Sequence, residues 1–127
     1  MQSTLIFVYN ADSGLFNTLT DIAHRIFSPQ TYPCHLCAIT YSVAGMKKEW
    51  TDFLDGAAIP LEFLHRDELP ARYGIEEVPL PAVFKRAGNE LSLMIDAEAI
   101  NSCKSIDELK QLISSKLPEE TGIAARL

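Results

Sequence analysis

The chain has 127 residues, one domain's worth, and 47% hydrophobic against 22% charged residues is the balance of a globular domain with a core of its own. Seventeen acidic against eleven basic side chains leave a net charge of −6, and no Lys/Arg cluster forms a stripe that would neutralise a row of phosphates, which argues against a nucleic-acid partner. The longest apolar runs are strand-length, three cysteines are too few for a disulfide framework, and the N-terminus lacks a secretory pattern, so the expectation is a cytoplasmic protein with reduced thiols, no membrane partner and no cofactor.

Thr4 to Tyr9 (TLIFVY) is apolar on both faces and predicts a central parallel strand, broken by Asn10-Ala11-Asp12-Ser13-Gly14. From Leu15 the apolar residues fall at 15, 16, 19, 22, 23, 26 and 27, one face of a helix that Asp12 or Ser13 is placed to cap and that ends near Ser28-Pro29. Leu36 to Tyr41 is a second strand candidate. After the turn Ser42-Val43-Ala44-Gly45, the stripe Met46, Trp50, Phe53 and Leu54 predicts a second helix. Leu61 to His65 reads as a third strand, and Glu68 to Tyr73 as a short helix closed by Gly74. Ala82 to Lys85 and Leu91 to Ile95 flank Arg86-Ala87-Gly88-Asn89, which predicts an antiparallel hairpin. Ser105-Ile106-Asp107-Glu108 is a capping box for a last helix with apolar positions 106, 109, 112, 113 and 117. No linker or repeat divides the chain, so residues 1–117 are expected to form one domain and 118–127 a tail without readable pattern.

This order predicts an α/β sheet covered on both faces, parallel at first and ending in the hairpin. The segment Tyr73-Gly74-Ile75-Glu76-Glu77-Val78-Pro79-Leu80-Pro81-Ala82-Val83-Phe84-Lys85, followed by a Gly turn, another strand and a capped helix, resembles the C-terminal half of thioredoxin-like proteins. The resemblance covers about residues 61 to 117 and implies a three-layer sandwich with a mixed sheet, here with an extra β-α unit at roughly Leu36 to Leu54. It places a cis peptide at Val78–Pro79, with Leu80–Pro81 as the alternative. Thioredoxins carry C-x-x-C in the turn after the first core strand, at a helix N-terminus that lowers the thiol pKa. The corresponding turn here, Ala11-Asp12-Ser13-Gly14-Leu15-Phe16, has no thiol.

The only C-x-x-C, Cys34-His35-Leu36-Cys37, falls at the start of the second strand candidate. Three residues of extended chain separate Cα atoms by about 10 Å on opposite faces, beyond the disulfide limit of about 7 Å. Both cysteines are therefore expected to be reduced and Cys37 to be a packing residue, although a turn over Pro33 to Leu36 would bring them together. Cys103 is expected about a strand length away, on the order of 17 Å. The three thiols then form no common site, and no metal site is expected.

Parallel strands would collect their C-terminal ends on one rim. The candidate ligand-binding residues there are Asp12, Ser13, Ser42, Lys47, His65, Val78, Pro79 and Cys103, with Lys47 and Lys48 at a helix start where an anion could sit. Some of these have a plainer reading. Asp12 and Ser13 serve as helix caps and the lysines form a solvated face, as His24 does on the first helix. The function expected from this pattern is that of a thioredoxin-like domain that binds an unidentified protein or a small anionic ligand at the cis-Pro rim without a catalytic dithiol; the alternative is a thiol-disulfide oxidoreductase or redox sensor working through Cys34 and Cys37.

Overall fold

A computed structural model describes residues 3–14, 16, 18–57 and 59–116. The expected tail, 118–127, lies outside the described residues, as do Leu15 of the first helical stripe and Leu117 of the last. The elements are β1 (Ser3–Val8), α1 (Leu19–Phe27), a 3-10 turn (Pro29–Thr31), α2 (His35–Thr40), β2 (Tyr41–Ser42), β3 (Gly45–Met46), α3 (Lys48–Asp55), β4 (Leu61–Leu64), α4 (Glu68–Tyr73), β5 (Ala82–Ala87), β6 (Glu90–Ile95), α5 (Ala97–Asn101) and α6 (Ile106–Lys116). No helix among the described residues is long and apolar enough to cross a membrane.

The main sheet has the order β4-β1-β5-β6. β1 runs parallel to β4, with Phe7 opposite Phe63, and antiparallel to β5, with Val8 opposite Ala82. β6 returns antiparallel to β5. As the apolar run of β1 requires, both of its faces are covered: Leu5 and Phe7 join Leu36 of α2, Trp50 of α3, Ile100 of α5 and Leu109 of α6 in one core, while Ile6 and Val8 meet Leu69 of α4 and Phe84 in a smaller one. This is a mixed α/β structure with a four-stranded mixed sheet. Gly74 ends α4 in the left-handed conformation at φ 69°. At α6, Ser105 Oγ accepts the Glu108 N–H at 3.2 Å, while the Glu108 carboxylate takes the Lys104 N–H at 2.9 Å.

Three expectations are corrected. Residues 36–41 are not a strand: Leu36 to Thr40 belong to α2, and only Tyr41 and Ser42 are extended, pairing with Gly45 and Met46 in a small separate hairpin. Residues 36–41 add no strand at either edge of the main sheet, β4 on one side and β6 on the other; Leu36 and Cys37 instead pack from the helix into the core that covers Leu5 and Phe7. Locally, Cys34 Sγ accepts the Cys37 N–H at 3.3 Å and Thr40 Oγ1 donates to the Leu36 carbonyl at 2.6 Å, which close a helical turn at each end.

The first helix begins later than its apolar stripe. Thr18, not Asp12 or Ser13, caps it by accepting the Asp21 N–H at 3.2 Å. In that register Leu19 and Phe27 face outward, 87% and 82% exposed, and Arg25 faces inward at 2%. Arg25 sits over the rings of Phe16, Tyr32 and Tyr41 at 5.4, 5.9 and 5.3 Å and lies 3.4 Å from the Asp21 carboxylate. Finally, the cis peptide bond is Leu80–Pro81, and not Val78–Pro79.

Candidate functional site at the rim of the central strand

β1 ends at Val8, whose partner on β5 is Ala82, so the Leu80–Pro81 peptide that leads into β5 lies beside the exit of β1. Tyr9 continues the ladder by donating its N–H to the Leu64 carbonyl at 2.8 Å. The next N–H, that of Asn10, points at Cys34 Sγ at 3.3 Å, and the Asn10 side-chain amide donates to the Pro33 carbonyl at 2.9 Å. Cys34 thus reaches the C-terminal rim of the central strand from α2 rather than from the turn that follows β1.

The arrangement corrects the expected state of the cysteines. Cys34 and Cys37 flank the first turn of α2 with their Cα atoms 5.3 Å apart, inside the bridging range, and their sulfurs are joined as a disulfide. The strand geometry that would have separated them does not occur. Cys37 is a buried packing residue, but in a helix, and Cys34 is fully buried as well. Cys34 Sγ is the acceptor of two backbone N–H groups, from Asn10 and Cys37.

Cys103 is not a strand length away. The His35 Nε2–H donates to the Cys103 carbonyl, which ties the residue next to Cys34 to the connection between α5 and α6. The Cys103 thiol is buried and contacts the Ala99 carbonyl at 3.6 Å, and burial, followed by the charge of Glu108, pushes its pKa up. Among the described residues no group of three or more His, Cys, Asp or Glu side chains converges as a metal site.

Asp12 and Ser13 act in a loop-to-loop clamp. Arg66 Nε and Nη2 donate to the Asp12 carboxylate at 3.0 and 2.7 Å, and the Ser13 N–H and hydroxyl donate to Asp67 at 2.8 and 2.6 Å. The Arg66 guanidinium holds Asp12 below the ordinary carboxylate range, and the Ser13 hydroxyl and N–H do the same for Asp67. His65, at the end of β4, packs its ring on Tyr9 and Phe16 at 5.5 and 5.1 Å, with Nδ1 2.8 Å from the Glu68 carboxylate. Tyr9 and Tyr41 share a hydroxyl contact at 3.2 Å, and burial, then that contact, raises the Tyr9 pKa.

A groove of about 290 Å³ opens at this rim, lined by Asn10, Arg66, Leu69, Ile75, Val78 and Leu80. Asp12, Ser13, His65 and Val78 therefore belong to one neighbourhood, with Pro79 exposed beside it. Ser42 and Lys47 do not. The Ser42 hydroxyl donates within its own turn to the Gly45 carbonyl at 3.1 Å. Lys47 lines a separate polar groove of about 300 Å³ with Lys104, Glu49 and Asp107, and the neighbouring Lys48 pairs with Asp52 at 2.8 Å. His24, on the exposed side of α1, contacts the Thr31 hydroxyl at 2.8 Å. Asn10 and Leu80 are rim residues that sequence reasoning passed over; the break in the apolar run after Tyr9 was the available signal for the first.

No protein-family model, curated protein or solved structure matches this chain.

Proposed function

We propose that this is a thioredoxin-like domain whose working group is the Cys34–Cys37 pair, and that it exchanges electrons with a dithiol or disulfide partner at the rim of β1. The reading draws on one observation above the others: Cys34 Sγ, bonded to Cys37, accepts the N–H groups of both Asn10 and Cys37. Backbone donors aimed at a sulfur favour its thiolate over its thiol and so favour Cys34 as attacking and leaving group. The sheet order, the helices on both faces and the position of the pair at the exit of the central strand support the thioredoxin-like description. The missing thiol in residues 12–16 does not count against it, because the dithiol arrives at the same rim from α2.

The exchange balances as two thiolate displacements. A partner thiolate attacks Cys34 Sγ, the Cys34–Cys37 bond breaks, and Cys37 leaves as a thiolate that takes a proton. The partner's second thiolate then attacks its own sulfur in the mixed disulfide, releasing Cys34 as a thiolate and the partner as a disulfide. Two electrons pass from partner to protein, and the reverse sequence returns them.

The test is equilibration of the native protein in glutathione buffers of graded potential, followed by alkylation and mass measurement. The expected result is one two-electron transition confined to Cys34 and Cys37, abolished by Cys34→Ser. A bond that opens only in denaturant overturns the proposal. The other function, binding at this rim without dithiol chemistry, is favoured by the groove between Arg66 and Leu80; it predicts that partner capture survives Cys34→Ser.

A further inference from the structure

The proposed chemistry needs a partner sulfur to reach Cys34, yet Cys34 is 0% exposed. The chain on both sides of it is tied down. Pro33, on the N-terminal side, is held through its carbonyl by the Asn10 amide at 2.9 Å. His35, on the C-terminal side, is held through its ring by the Cys103 carbonyl. The two ties are not equivalent. Cys103 is buried against α5 and α6, whereas Asn10 is only partly buried, Pro33 is exposed, and their bond is open to solvent. A hydrogen bond that water can replace has a small net worth, so the Asn10 side is the cheaper one to open. Asn10 also lines the groove at the exit of β1, so one residue touches both the groove and the sulfur.

We infer that the Asn10 side chain is a gate on Cys34: its bond to Pro33 closes the approach to the sulfur, and its release sets the rate of thiol exchange. Asn10 is in this sense a positioning residue. Its backbone N–H serves the sulfur and its side chain governs access, so the two roles separate under substitution. The inference rests on the thiol-exchange reading of the Cys34–Cys37 pair.

The experiment is the rate at which dithiothreitol reduces the native disulfide in wild type, Asn10→Ala and Asn10→Asp, with alkylation of Cys103 followed in the same samples. Both variants keep the backbone N–H and lose the side-chain donor, and Asp keeps the shape of Asn should Ala fail to fold. The expected result is reduction about two- to tenfold faster in the variants, the span set by one solvent-open hydrogen bond, with Cys103 as protected as in wild type. Rates equal to or below wild type overturn the gate. Faster reduction accompanied by faster Cys103 labelling also overturns it, since the effect is then general loosening. Should wild type be reduced only after unfolding, the thiol-exchange reading fails and the gate with it, an outcome visible in the wild-type sample alone.

Discussion

The backbone N–H of Asn10 lies 3.3 Å from Cys34 Sγ, across 24 residues of sequence. This contact carries the C-x-x-C to the end of the central strand, although the intervening segment contains α1 and a 3-10 turn. The Asn10–Pro33 bond fixes the same approach from the side-chain side, so two hydrogen bonds from one residue define the site.

The Cys34–Cys37 bond should contribute to stability as well as to chemistry. For so short a loop the chain-entropy account gives about 2 kcal/mol. Reduced wild type is expected to lose that amount in denaturant unfolding relative to the oxidised protein, and Cys34→Ala more, because the buried sulfur that accepts two backbone N–H groups is lost with the bond. A wild-type unfolding curve that does not respond to reductant would contradict the bond.

Arg25 should be among the more sensitive positions of α1. Its side chain is 1% exposed beside Asp21 and lies over three aromatic rings. Arg25→Ala is expected to lower the unfolding free energy by about 2–4 kcal/mol, through lost packing, lost cation–π contact and a broken partly buried ion pair. Arg25→Met keeps most of the volume and should lose less. Thermal and urea unfolding of the two variants measures the difference.

Phe27 makes the opposite case. At 82% exposure it has little to lose, so Phe27→Ser should change stability by no more than about 0.5 kcal/mol. A loss of several times that amount would mean that the stripe beginning at residue 15 packs inward after all.

The Asp12–Arg66 and Ser13–Asp67 clamp should make stability fall in acid. Asp12, Asp67 and Glu68 all have folded-state pKa values below their ordinary ones: Asp12 through Arg66, Asp67 through Ser13, and Glu68 through the His65 N–H and ring. The unfolded chain therefore binds protons first as pH falls. The stabilisation is complete above the unfolded carboxylate range, about pH 4, and is lost as pH drops through the lower folded values. Unfolding measured from pH 5 to 2 should show this decline, and Asp12→Asn with Asp67→Asn should flatten it. Because the clamp is at the surface, added salt should weaken it too.

The sequence by itself determined those parts of the fold whose signal is local. The two-sided apolar run of β1 demands a central strand, Gly74 supplies the left-handed end of α4, Gly88 turns the β5–β6 hairpin, and Ser105 with Glu108 opens α6; each needs only residues within a few positions of one another. Asp12, Ser13, His65 and Val78 were legible as rim residues because they follow or precede these elements. What tertiary structure decided were the segments whose local signal fits two conformations. Leu36 to Tyr41 is a short apolar run equally suited to a buried strand or a buried helical turn, and residues as far as Thr40 become a helix whose Leu36 and Cys37 fill the core against Leu5 and Phe7, rather than a strand added at the β4 or β6 edge. That choice brings Cys34 and Cys37 together and sets them against Asn10. The orientation of α1 was decided in the same way: an arginine is turned inward only where Phe16, Tyr32 and Tyr41 meet around it, and those rings come from three separate parts of the chain.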